Sequence, residues 1–180
     1  IYEAMKAHHH EKPSIADDYK YLNENKLRKT HLISSWSAND SESFAMWKMY
    51  AKEKLGIGIK TSLENLKNAF RNVKEDIYIG EVNYYDEKNP KYDVGNAFYT
   101  FLNKHKYYEF ESEVRCISTL KETDSGTFKL FDVDLNELIQ EVYISPSANQ
   151  KGIAEILEFL KQKNGLNFKI NISGVNDSWL

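Results

Sequence analysis

The sequence predicts an α+β protein, a single domain over residues 1–180 built on a mixed, mostly antiparallel sheet with about seven strands and about five helices. Three observations carry this. Segments that alternate with a period of two follow one another in places and are separated elsewhere by segments of helical period. Glycine and proline number only 8 and 3, so regular elements dominate. Hydrophobic residues make up 41% and charged residues 28% of the 180, enough for a buried core in a chain of this length.

The elements follow in order. Residues 15–29 read as a helix, with Ser14 as N-cap and Ile15, Tyr19 and Leu22 at helical spacing. A short strand spans His31 to Ser37. Asn39 and Glu42 form a capping box for a helix from about Asp40 to Leu55, and its apolar residues occupy most directions, which predicts burial. Gly56 to Lys60 alternates as a strand. Thr61 with Glu64 caps the next helix, which carries Leu63, Leu66, Ala69 and Phe70. Ile77 to Tyr85 is a strand with a bulge at Gly80. Pro90 to His105 follows as a helix, and strands from Glu113 to Leu120 and Thr127 to Val133 flank a turn at Asp124-Ser125-Gly126. Asp134 and Glu137 cap a short helix before the strand Glu141 to Ser145. The cleanest pattern lies between Asn149 and Lys163, with Ile153, Ile156, Leu157 and Leu160 on one face and Gly165 past the end. Phe168 to Ile172 is the last strand.

A formal charge of −3 argues against a broad electrostatic grip on phosphate backbones or anionic lipid. The lone Cys116 can close no internal disulfide and has no zinc-site spacing around it, which predicts a cytoplasmic protein without structural metal. No apolar run reaches the ~20 residues of a membrane span. Because numbering opens at Ile1, residues upstream, including an early strand, are expected.

Few motifs carry chemistry. His8, His9 and His10 diverge in any regular element and cannot converge on one metal ion, and His31 and His105 stand alone. No HExxH, phosphate-binding glycine loop, GxSxG elbow or dinucleotide fingerprint occurs. What remains is a polar strand and an acidic cluster. In the strand, Ser35 and Ser37 share one face while Ser34 and Trp36 share the other, and small hydroxyls beside an aromatic suit a wall for a planar ligand. In Tyr107-Tyr108-Glu109-Phe110-Glu111-Ser112-Glu113-Val114-Arg115, the three glutamates alternate and would share a face if extended. Their repulsion raises at least one carboxyl unless a cation compensates, and Arg115 continues the alternation to neutralise one.

Taken in order, Ser34-Ser35-Trp36-Ser37, Met46-Trp47-Lys48-Met49-Tyr50, Gly56-Ile57-Gly58-Ile59, Lys104 through Arg115 and Val142-Tyr143-Ile144-Ser145-Pro146 resemble the bacterial domain-of-unknown-function family twenty-nine seventy-one, over about residues 32 to 172. The serine strand followed by a Glu-x-Glu-Val strand is also similar to ADP-ribosyltransferases of the arginine, serine, glutamate class. That resemblance implies a transferase-like fold with NAD as substrate and a macromolecular acceptor, in a toxin or phage-defence effector. It implies Glu113 as the catalytic acid residue holding the ribose 2′-hydroxyl, and Glu111 as the residue that activates the acceptor. It further implies a cofactor wall of Ser35 or Ser37 with Trp36, His31 as the ribose-holding alternative, and Tyr50 and Arg115 as neighbours.

Two other classes stay open. One is a non-catalytic nucleotide- or protein-binding module with Trp36, Trp47, Tyr50, Tyr84, Tyr85, Tyr107 and Tyr108 along a groove. The other is a metal-dependent nuclease using Glu109, Glu111 and Glu113 as oxygen ligands.

Overall fold

The computed structural model describes residues 27–51, 55–86, 98–120 and 128–175. Residues 15–26 of the expected 15–29 helix, the histidines His8 to His10, residues 90–97 of the expected Pro90–His105 helix and the Asp124-Ser125-Gly126 turn lie outside these residues. The class is α+β with mostly antiparallel pairing, and the described strands form three sheets in place of one. The chain divides into two compact units, Ile1–Ala38 with Glu75–Leu130 and Asn39–Lys74 with Phe131–Leu180. Among the described residues no helix is long and apolar enough to cross a membrane.

In the first unit, a single helical turn α1 (Arg28–Thr30) leads into β1 (His31–Ser37). β1 and β3 (Tyr78–Glu81) flank β6 (Glu113–Thr119), both antiparallel to it. A second, two-stranded sheet pairs β4 (Asn83–Tyr85) with β5 (Asn103–His105) in parallel. The expected strand over Ile77–Tyr85 is thus two strands in two sheets. It breaks at Val82, whose buried N–H donates to Glu113 O at 2.8 Å. Helix α4 (Tyr99–Leu102) precedes β5, so the end of the expected Pro90–His105 helix is extended chain. It packs on β3 at Gly80, where an added Cβ would fall 2.8 Å from Leu102 Cδ1, so a side chain there would displace Leu102. Phe101, Val82, Cys116 and Ile117 are buried in this unit.

The second unit holds α2 (Phe44–Tyr50), β2 (Ile57–Lys60), α3 (Leu63–Ala69), α5 (Leu135–Leu138), β7 (Glu141–Ile144), α6 (Gln150–Asn164) and β8 (Lys169–Ile172). β7 is central, antiparallel to β2 and parallel to β8, and α6 supplies the crossover that a parallel pair requires. α6 keeps its expected bounds because its signals are local: Asn149 Oδ1 accepts Gly152 N–H at 3.3 Å, and Gly165 ends the helix at φ +64°. Its Ile153 and Leu157 join Val142, Ile144 and Phe168 in the core, whereas Ile156 and Leu160 of the expected apolar face stay exposed.

Four expectations are corrected here. α2 is shorter than predicted and none of its residues is buried. Glu42 cannot close a capping box with Asn39, because its carboxylate accepts Trp47 Nε1 at 2.9 Å, Gly174 N at 3.0 Å and the Ser173 hydroxyl. Ser43 caps instead. α3 is likewise capped by Ser62, whose Oγ accepts Asn65 N–H at 3.1 Å, one residue beyond Thr61. Residues 128–133 form no strand, and Phe128 and Leu130 are exposed.

Candidate functional site

β1 and β6 bring the serine strand and the acidic strand side by side in the first unit. Their register pairs Ser35 with Arg115 and Ser37 with Glu113, and residues opposite one another in an antiparallel ladder share a face. The Ser35 hydroxyl helps lower the Glu113 carboxyl. Ser37 Oγ donates to Glu111 O at 2.8 Å, and Ala38 N–H donates to Ser112 O at 2.7 Å, so the end of β1 also grips the segment entering β6.

That segment overturns the expectation of three glutamates on one extended face. Residues Lys106–Glu111 form a 3₁₀ helix, and Ser112 then takes a left-handed conformation at φ 43° before β6 begins. Successive residues in a 3₁₀ turn are about 120° apart, so alternation no longer aligns side chains. Glu109 is exposed, while Glu111 and Glu113 are 4% and 6% exposed. Among the described residues no group of three His, Cys, Asp or Glu is arranged to hold a metal ion, Glu109, Glu111 and Glu113 included.

Two cations meet the buried carboxylates. Arg115 Nε and Nη2 lie 2.9 and 2.8 Å from the two oxygens of Glu113, and its Nη1 donates to Phe101 O at the end of α4. Lys104 Nζ, on β5, pairs with Glu111 Oε2 and lies 3.3 Å from Glu113 Oε2. Burial alone would push the Glu113 carboxyl up. The hydrogen bonds from Arg115 and Ser35, with the charges of Arg115 and Lys104, outweigh it and hold the group at about 2. On Lys104, burial opposes the charge but both glutamates favour it, and the ammonium stays above its ordinary value.

Two other site residues predicted from the sequence, His31 and Trp36, are placed elsewhere in the first unit. His31 sits at the far end of β1 opposite Thr119, roughly 13 Å along the strand from Ser35. Its ring stacks on Phe101 with centroids 4.5 Å apart, and its Nδ1 lies 3.1 Å from Leu27 O and 3.0 Å from Thr30 Oγ1. It therefore anchors the strand's start and does not reach the carboxylates. Trp36 pairs with Val114 on the opposite face of the sheet from Ser35 and Glu113. Tyr50 belongs to the second unit, where it is exposed.

Sequence reasoning missed Lys104 as a member of the cluster and placed Tyr84 only on a possible groove. A lysine among aromatics just ahead of a Glu-x-Glu pair was the available signal, but its direction depends on the pairing of β4 with β5. The phenolic oxygen of Tyr84 accepts Glu113 N–H at 2.8 Å.

Fold and cluster together describe an α+β protein with a buried, cation-paired pair of glutamates beside a serine-bearing edge strand. Comparison of the chain with known protein families, curated proteins and solved structures returned no match.

Proposed function

We propose that this chain carries an NAD-dependent ADP-ribosyltransferase site at the junction of β1 and β6, acting on a macromolecular acceptor in the cytoplasm as a toxin or phage-defence effector. The observation that carries the reading is the pairing of β1 with β6, which sets Ser37 opposite Glu113 and Ser35 opposite Arg115, with Glu111 held beside Glu113 by Lys104. Had the two strands lain apart, the roles implied by the motif order would have had no common location.

The residues suit a ribose. Ser35 and Ser37 are exposed at the edge of the sheet, next to a carboxylate whose hydrogen-bond partners keep it ionised at neutral pH. In this role Glu113 accepts a hydrogen bond from the ribose 2′-hydroxyl and opposes the positive charge that develops on the sugar as nicotinamide departs, an interaction stronger in the transition state than in the ground state. Glu111 orients the incoming acceptor, and Ser35 fixes the direction of the Glu113 carboxylate.

The test is nicotinamide release from NAD by the wild-type chain and by Glu113→Gln, each checked for fold by circular dichroism. Removing one charge aimed at a developing cation is expected to cost roughly 10²–10³-fold in rate. An undiminished rate in a folded Glu113→Gln protein overturns the proposal.

One observation favours a second reading, a non-catalytic nucleotide- or protein-binding module. Glu113 is already neutralised within the protein by Arg115 and Lys104, as in a structural ion pair. That reading expects NAD or another nucleotide to bind in calorimetry without turnover, and to bind Glu113→Gln as well as wild type.

A further inference from the structure

The two-stranded sheet of β4 and β5 delivers two side chains to one residue. Tyr84 and Lys104 are register partners there. Tyr84 Oη takes the backbone N–H of Glu113, and Lys104 Nζ lies against its carboxylate while also pairing with Glu111. The ring of Tyr108 covers the ammonium, with Nζ 4.8 Å from its centroid. Among the described residues, Lys104 is the cation that reaches both carboxylates, because Arg115 spends its Nε and Nη2 on Glu113 and its Nη1 on Phe101 O.

Two carboxylates with 4% and 6% exposure have lost most of their hydration and repel each other, so a cation within reach of both relieves both costs. Among the described residues, the groups that face the pair include the Ser35 hydroxyl from β1, the Tyr84 phenol from β4, Lys104 from β5, the Tyr108 ring from the 3₁₀ segment and Arg115 from β6. Of these, only Lys104 and Arg115 carry positive charge.

We infer that Lys104 is a positioning residue for the carboxylate pair: its ammonium, which reaches an oxygen of each, turns Glu111 and Glu113 toward a common point. For its catalytic consequence the inference rests on the transferase reading. Its electrostatic content does not. Without the ammonium, Glu113 loses one of the charges that hold its carboxyl low, so turnover that needs the Glu113 charge loses its acid limb first.

The experiment follows the side-chain carboxyl carbons of ¹³C-labelled glutamate by NMR across pH 3 to 8 in wild type, Lys104→Met and Lys104→Arg, with NAD turnover measured over the same range. The wild type is expected to keep the Glu113 carboxyl ionised from pH 5 upward. In Lys104→Met the Glu113 carboxyl titrates about one pH unit higher or more, and the acid limb of turnover moves with it, while Lys104→Arg restores the wild-type profile. An unshifted carboxyl titration in folded Lys104→Met overturns the inference. So does a wild-type Glu113 that titrates above about pH 6, a result that needs no variant to fold. If the Glu113 carboxyl shifts as expected and no protein turns over NAD, the transferase reading fails and the electrostatic role of Lys104 stands.

Discussion

The phenolic oxygen of Tyr84 and the backbone N–H of Glu113 meet at 2.8 Å across 29 residues of chain. Burial raises the Tyr84 hydroxyl above its ordinary value, so it stays neutral and available at any physiological pH. Replacing it with phenylalanine leaves the Glu113 amide without this partner at the first residue of β6. The expected cost of Tyr84→Phe is about 1–3 kcal/mol, the penalty for a buried donor left unsatisfied, measured as a lowered urea midpoint. A midpoint equal to wild type would show that the bond contributes nothing.

Glu113 also makes the protein acid-sensitive in a defined window. Its carboxyl sits at about 2 in the folded protein against an ordinary 4.5, so the folded state binds fewer protons than the unfolded chain between those values. The stability contributed is complete above about pH 4.5 and is lost as pH falls toward 2, up to about 3 kcal/mol. Urea midpoints at pH 7, 4.5 and 2.5 are expected to change most between the last two. Glu113→Gln should remove that part of the dependence, and an equally steep fall in this variant would locate the acid sensitivity elsewhere.

Ser112 is the non-glycine residue with positive φ among the described residues, at 43°. It turns the chain out of the 3₁₀ segment so that Glu111 and Glu113 face the same ammonium. Ser112→Gly relieves the left-handed strain and is expected to leave stability within about 1 kcal/mol of wild type or raise it. Ser112→Val, which tolerates this conformation least, is expected to cost roughly 1–2 kcal/mol. Thermal unfolding of the pair checks the order, and a valine variant as stable as the glycine variant would contradict it.

Cys116 is 5% exposed on β6, and burial pushes its thiol up to about 11. The nucleophile in alkylation is the thiolate, so the native protein is expected to resist iodoacetamide at pH 8 and to react within minutes once unfolded in urea. Mass spectrometry of the intact chain reads the difference directly. Rapid modification of the native protein would place the thiol at the surface.

The elements legible in the sequence are those whose signals are local. α6 carries its cap at Asn149, its stop at Gly165 and its buried Ile153 and Leu157 within one stretch of chain. β7, β8 and the Asp134 cap of α5 are similarly self-contained. Expectations failed where a distant group competed for a local signal. Glu42 was drawn away from Asn39 by Trp47, Ser173 and Gly174, more than 130 residues on for the last two. The run from Ile77 to Tyr85 divided at Val82 because its amide found the carbonyl of Glu113.

For the candidate site, the sequence alone supplied the residue types on which the proposed chemistry rests: hydroxyls at alternate positions in one strand, carboxylates two apart before another, and an arginine to follow. Only the tertiary structure decided that β1 lies against β6, that Lys104 arrives from β5 between Glu111 and Glu113, and that His31 and Trp36 stay away from them. The reason is physical. Side-chain type and spacing are properties of neighbouring residues, whereas the ionisation and aim of a buried carboxylate depend on charges and donors brought to within about 4 Å by strand pairing, which no short stretch of sequence contains.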